Sequence, residues 1–108
     1  MLPSYVELAV TKAIEAAKQA TADYTKQNPH FYPCGFAWVE VYGVKGSTKL
    51  GKALIACGLH KNYGGGLRLS NCWSMSQSMD ANEAGARAAA EVLTDLLGVR
   101  AYPASRID

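Results

Sequence analysis

The sequence predicts one small α+β (or α/β) domain over residues 1–108, in which helices pack on a sheet of about three strands. Three observations predict it. Apolar residues recur at helical spacing in three segments, they alternate with other side chains in two or three more, and glycines or prolines separate the segments. The expected order of elements is α-β-α-β-α-β. A chain of 108 residues has room for one modest core.

The first helix is predicted over about residues 5–24, where apolar residues recur three or four positions apart behind a cap-like Ser4. Pro29 and Pro33 then interrupt the chain. The first strand is predicted over residues 35–42. Its alternation gives one aliphatic face and one face with three aromatic rings and a carboxylate, namely Phe36, Trp38, Glu40 and Tyr42.

A turn over residues 43–48 leads into a second helix, which we expect to end at Gly58 because a helix often ends at a glycine with positive φ. A flexible loop over residues 60–66 follows. The alternation of apolar and polar residues then predicts a strand over residues 67–74.

The third helix carries the longest apolar stripe, with alanine, valine and leucine at spacings of three and four. We expect it to begin at the cap-like Asp80 and to end at Gly98. A short final strand is expected over residues 99–102, and Pro103 is expected to stop it.

Composition excludes several classes of protein. The net charge of +2 is near neutral, so polyanion binding would need local placement of lysines and arginines rather than bulk charge. No apolar run is long enough for a membrane span, and the N-terminus lacks the features of a signal peptide. Three cysteines do not indicate a secreted disulfide framework. We therefore expect a cytoplasmic protein with reduced cysteines and no membrane partner.

Residues 46–53 nearly match the phosphate-binding loop G-x-x-x-x-G-K-[ST], but Ala53 stands where a hydroxyl must bind Mg²⁺. The chain is also too short for the parallel sheet of such nucleotidases. The pattern favours a helix start capped by Ser47 or Thr48. Together with Lys52, that helix start could still hold one phosphate.

Metal-binding and catalytic chemistry have weak support in the sequence. Cys57 and His60 are zinc-ligand types at close spacing, but a zinc site needs a second close pair, which Cys34 and Cys72 do not form. A cysteine–histidine pair can be drawn, but no third orienting group stands in a recognisable pattern. The sequence favours a non-enzymatic protein with no metal and no cofactor.

The aromatic face of the first strand is either a second core surface or a platform for a ligand. Helices one and three are rich in alanine and glycine, so they need bulky residues opposite them. This favours Phe36 and Trp38 as core residues. Glu40 is expected to pair with Arg68 across the sheet, which leaves Glu40, Tyr42 and Arg68 as the part of the face that meets a ligand or partner.

The predicted ligand site joins this part of the strand face to nearby lysines and to the glycine-rich loop, whose backbone amides could close over an anion. Its members are Glu40, Tyr42, Arg68, Lys52, Lys61, Tyr63, Gly64 and Gly65.

Several stretches from about residue 31 onward carry a resemblance: residues 34–39 (CGFAWV), 63–65 (YGG), 76–79 (SQSM), and the ending AY-x-x-SR-x-D. Together they resemble a group of small bacteriophage-encoded proteins, and the first helix lies outside the likeness. The resemblance implies a source and a compartment, the cytoplasm of an infected bacterium. It implies no activity.

These observations lead to three hypotheses. The first is a non-enzymatic phage accessory protein that binds a small anionic, nucleotide-like ligand or a host protein. The second is a homo-oligomeric structural or interaction protein that uses the same face. The third is a small hydrolase or metal-dependent enzyme that uses His60 with a cysteine or Glu40.

Overall fold

The computed structural model describes residues 4–28, 34–62 and 65–107, which form three helices and a four-stranded sheet. In chain order the elements are α1 (Ser4–Gln27), β1 (Gly35–Tyr42), α2 (Lys49–Ala56), β2 (His60–Lys61), β3 (Leu67–Ser70), α3 (Met79–Leu97) and β4 (Arg100–Ile107). The α+β class is confirmed. The sheet has four strands rather than about three, because the predicted loop contains the two-residue β2.

The strand order is β2-β3-β1-β4, and every neighbouring pair is antiparallel. The central strand β1 has the predicted bounds and pairs with β4 along its whole length. Its aliphatic residues Ala37, Val39 and Val41 are buried against the helices. Helix α3 lies across β1 and β4, and α1 packs against α3 and α2. The helices therefore cover the aliphatic face of the sheet.

The assignment of Phe36 and Trp38 to the core is wrong. Phe36 is half exposed and Trp38 is only partly buried, because both lie on the face opposite the helices. The alanine-rich helices do receive a bulky partner, but it is Trp73, which is buried beside Thr21 and Gly85. A Cβ atom added at Gly85 would lie 2.4 Å from Trp73 Nε1 and 2.4 Å from Thr21 Oγ1.

Strand β3 ends at Ser70, and the predicted continuation to residue 74 is wrong. The Asn71 side-chain oxygen accepts hydrogen bonds from the backbone N–H groups of Trp73 and Ser74, which turns the chain out of the sheet. The turn is what brings Trp73 under the helices.

The segment between β3 and α3 is stabilised by its own serines. Ser74 Oγ accepts from Ser76 N, Ser76 Oγ accepts from Ser78 N, and Ser78 Oγ accepts from Ala81 N. Ser78 is therefore the N-cap of α3, and the prediction of Asp80 as the cap is wrong. Asp80 lies in the first turn, where its charge complements the helix dipole.

Strand β4 continues through Pro103 to Ile107, so the expectation that Pro103 stops the strand is also wrong. Proline lacks a backbone N–H and is tolerated in edge strands. Since β4 is an edge strand, the proline breaks no ladder between two interior strands.

The predicted ends of α2 and α3 are confirmed. Thr48 caps α2 by accepting a hydrogen bond from Gly51 N, and Gly58 follows the helix with a φ of 110°. Gly98 ends α3 in the left-handed conformation. Within the described ranges, no helix is both long enough and apolar enough to cross a membrane.

Substitution of Gly85 by alanine tests the close approach of α1, α3 and Trp73. The methyl group would lie 2.4 Å from buried atoms, so we expect a cost in the upper part of the overpacking range, about 2–3 kcal/mol, while the better helix propensity of alanine returns about 1 kcal/mol. We expect Gly85→Ala to lower the free energy of unfolding by about 1–2 kcal/mol in denaturant titration.

The control is Gly46→Ala, where the added methyl group meets only the outer atoms of two side chains, Lys61 Cε at 2.7 Å and Ile55 Cδ1 at 3.2 Å, which can move aside more easily than buried atoms. We expect its effect to stay within about 0.5 kcal/mol. A Gly85→Ala protein as stable as the wild type would show that Trp73 does not fill this space.

Candidate functional site

The open face is the surface of the sheet that lies opposite the helices. In antiparallel strands, paired residues project to the same side. The register pairs Phe36 with Arg106, Glu40 with Tyr102 and Tyr42 with Arg100. The open face therefore consists of the even-numbered residues of β1 and β4, joined by His60, Arg68 and Ser70 from β2 and β3.

Three aromatic rings on the open face are half exposed. Phe36 is 50% exposed, Tyr42 46% and Tyr102 53%. The rings of Tyr42 and Tyr102 lie 5.7 Å apart between centroids, tilted by 53°, and form a pair across β1 and β4. Phe36 lies at the opposite end of β1. Rings clustered and exposed in this way are typical of a binding surface.

Three of the four arginines in the chain also belong to the open face. The guanidinium of Arg68 lies 4.6 Å from the centre of the Trp38 ring, and that of Arg106 lies 5.7 Å from the centre of the Phe36 ring. Arg100 is exposed at the Tyr42 end of the face. Each arginine is therefore close to an aromatic residue.

Glu40 is buried on the open face, with only 7% of its surface exposed, because neighbouring side chains cover it. Its Oε1 accepts hydrogen bonds from Trp38 Nε1 (2.6 Å) and Arg68 Nη2 (2.9 Å), and its Oε2 accepts one from Asn62 Nδ2. We call these four residues the Glu40 cluster. The expected pairing of Glu40 with Arg68 is confirmed. The cluster fixes the Trp38 ring and attaches the loop after β2 to the sheet.

Charge is distributed unevenly over the molecule. Helices α1 and α3 carry seven of the nine acidic residues and only four of the eleven basic ones. Outside these helices, Glu40 is the single acid among the described residues, and Arg68 neutralises it. The open face, which also carries Arg100 and Arg106, is therefore positively charged. The surface of α1 and α3 is negatively charged, whereas α2 contributes Lys49 and Lys52.

Two grooves illustrate this difference. A shallow groove of about 280 Å³ lies on the open face beside Trp38 and is lined by Phe36, Arg68 and Ser70. A larger groove of about 480 Å³ lies between α1 and α3, where three carboxylates outnumber one arginine: Asp80, Glu83, Glu91 and Arg87. An anion would be repelled from the helical groove and attracted to the open face.

The structure brings together three of the predicted site residues, Glu40, Tyr42 and Arg68. Lys61 pairs with Leu67 and so projects to the opposite side of the sheet, where it contacts Gly46.

Lys52 is exposed on α2, away from the open face. Gly65 forms the turn after β2, donating its N–H to the Asn62 carbonyl with a φ of 90°. Tyr63 and Gly64 lie outside the described residues.

Sequence reasoning missed the contribution of β4. Arg100, Tyr102 and Arg106 alternate at a spacing of two, which is the signal for one strand face, but reading Pro103 as a strand end concealed it. Asn62 was also missed. A single amide in a loop carries no sequence signal for the carboxylate that it will contact.

The enzyme hypothesis relies on His60, the cysteines and metal-ligand side chains, whose surroundings the structure describes in part. His60 Nε2 and Ser70 Oγ lie 2.8 Å apart, but no carboxylate bonds to His60 among the described residues. Burial, with a further contribution from the Glu7 carboxylate, raises the pKa of the Cys57 thiol, which lowers its thiolate fraction at neutral pH. No three histidine, cysteine, aspartate or glutamate side chains cluster as metal ligands within the described ranges.

Comparisons of the chain with protein-family models, with curated proteins and with solved structures found no match. The function has to be inferred from the open face itself.

Substitution of Glu40 by alanine tests the Glu40 cluster. It removes the acceptor for three donors and leaves the Arg68 charge without its partner. Unpaired buried polar groups cost about 1–3 kcal/mol, so we expect a loss of this size in the free energy of unfolding and a change in Trp38 fluorescence.

Glu91→Ala, at an exposed position of α3, is the control and should change stability by less than about 0.5 kcal/mol. Equal unfolding midpoints for the two variants would show that the Glu40 cluster contributes nothing to stability.

Proposed function

We propose that this protein is a non-catalytic binding protein whose open face holds a small anionic ligand with a flat ring, of the nucleotide type. The observation that carries the proposal is the set of half-exposed aromatic rings beside arginines, on a sheet face that none of the helices in the described ranges covers. An aromatic ring stacks on a base, and a guanidinium pairs with a phosphate.

The aromatic rings of the open face differ in how far the protein itself holds them, and this difference supports the proposal. The Arg68 guanidinium lies over the Trp38 ring, and the Trp38 indole N–H is hydrogen-bonded to Glu40, so the ring is already fixed. Phe36, Tyr42 and Tyr102 retain exposed ring surface. The groove beside Trp38 offers a concave place for one base, with the Phe36 ring and the Arg106 guanidinium at its end.

The resemblance to small phage proteins suggests a setting for this binding. In that setting, the proposed protein is an accessory factor in the cytoplasm of an infected bacterium, where its ligand is a nucleotide or an anionic site on a host molecule.

A second candidate function is an interaction with protein, either a host protein or another copy of this chain. The exposed pair of Tyr42 and Tyr102 favours it, because tyrosine is enriched at interfaces. A symmetric dimer through the open face would oppose arginines with arginines, so an acidic partner surface suits the face better. Neither sheet edge invites strand addition, since β2 has two residues and β4 contains Pro103.

Nuclear magnetic resonance titration with AMP, GMP, UMP and CMP at millimolar concentration tests the proposed function. We expect the indole N–H signal of Trp38 and the ring signals of Phe36 to shift, because both residues line the groove proposed for the base. The indole N–H signal of Trp73 is an internal control, because Trp73 is buried between the helices and should not shift. Unchanged spectra with all four nucleotides would exclude nucleotide binding at this face.

Sedimentation of the protein separates the second candidate from the first. A dimer that dissociates on Tyr42→Glu would identify the open face as an interface between copies. A monomer at all concentrations leaves the face available to a ligand.

A further inference from the structure

We propose that the open face binds single-stranded nucleic acid along the length of β1 and β4, an inference that rests on the nucleotide-like ligand proposed above. Three features support it. The first is the distance between Arg100 and Arg106, and the second is the aromatic ring beside each of these arginines. The third is the difference in charge between the open face and the surface of α1 and α3.

The three arginines of the open face differ in whether they form an ion pair within the protein. Arg68 is held by Glu40 and lies over Trp38, so its charge is largely neutralised within the protein. Arg100 and Arg106 are exposed and have no ion-pair partner among the described residues. They stand six positions apart in β4, which separates their Cα atoms by about 20 Å at about 3.3 Å per residue.

One nucleotide cannot contact two cations at that distance. The phosphates of a stacked strand recur about every 3.4 Å, so about six stacked nucleotides, or fewer in an extended strand, reach from Arg100 to Arg106. The separation of the two arginines therefore matches an oligonucleotide better than a mononucleotide.

The aromatic rings of the open face are distributed along the same direction, from Arg100 to Arg106. Phe36 accompanies Arg106 at one end, the Tyr42–Tyr102 pair accompanies Arg100 at the other, and Trp38 lies in between. A strand held at both ends by its phosphates would present bases to about three stacking positions, the number that sheet platforms for single-stranded RNA use. Stacking tolerates any base, because every base has a π-face.

The bases must be unpaired for this contact. In a duplex, the faces of the bases are stacked on each other and are not available to rings on a flat sheet. The net negative charge of α1 and α3 repels a phosphate backbone, so we expect a strand to stay on the open face rather than extend onto these two helices.

Fluorescence anisotropy with a labelled single-stranded 12-mer tests the proposal, using (dT)12 and (rU)12 as parallel probes. We expect binding at least tenfold tighter than to a duplex of the same length, and at least a hundredfold tighter than to dTMP or UMP as competitors. Comparison of the two probes separates DNA from RNA as the preferred strand.

Salt dependence and charge variants test the two terminal arginines. For a single strand, the slope of log K against log salt is about −0.7 per phosphate contact. We expect Arg100→Gln and Arg106→Gln each to reduce the size of the slope by about 0.7. Arg87→Gln is the charge-matched control, because Arg87 is exposed on α3 and pairs with Glu83.

Ring variants test the stacking positions. Phe36→Ala and Tyr102→Ala are each expected to weaken 12-mer binding by about tenfold without changing the salt slope. Leu8→Ala removes a similarly exposed apolar side chain from α1 and should leave binding unchanged. Circular dichroism of each variant confirms that it is folded.

Each result has a distinct meaning. A 12-mer that binds no tighter than a mononucleotide would overturn this inference and leave the proposed nucleotide binding intact. Absence of binding to both would overturn both proposals. Equal affinity for duplex and single strand would exclude stacking of unpaired bases on the open face. A salt slope that Arg100→Gln and Arg106→Gln leave unchanged would exclude phosphate contacts at these two arginines, and either result would overturn this inference. Self-association abolished by Tyr102→Ala would assign the face to a protein partner instead.

Discussion

The unequal faces of β1 are the constraint on which the rest of the structure depends. Val39 and Val41 are buried, and the helices must cover them to remove their apolar surface from water. The helices pack on that face and leave the even-numbered side chains of the central strand outside. A two-layer arrangement of this kind exposes one sheet face by necessity. The rings and arginines of the open face are the residues that this geometry leaves in solvent.

Much of the fold follows from periodicity in the sequence, because β1, α2 and α3 have strong local patterns and recognisable ends. The elements that sequence reasoning missed depend on tertiary position. Pro103 ends a strand in the interior of a sheet but not at its edge, and the sequence does not reveal which strand is the edge. The end of β3 depends on local hydrogen bonds that the Asn71 side-chain oxygen accepts from the backbone N–H groups of Trp73 and Ser74. These bonds turn the chain, although the alternation of residues would otherwise continue to Trp73.

The candidate site was predictable only in part. Glu40 and Arg68 are cross-strand partners of opposite charge, so their pairing follows from the alternation of two strands. Alternation does not predict which side of β1 packs against the helices, since both sides are apolar enough to be buried. Trp73 decides it, because this ring fills the space between the alanine-rich helices that Phe36 and Trp38 had been expected to fill.

The Glu40 cluster gives the open face one ring that is ordered before any ligand arrives. Trp38 is held at its indole nitrogen by Glu40 and on its face by Arg68, so docking a base there costs little side-chain entropy. The exposed phenyl and phenol rings would have to give up rotational freedom on contact. In the binding proposed above, Trp38 would therefore be a preorganised anchor, and Asn62 is held by the same carboxylate.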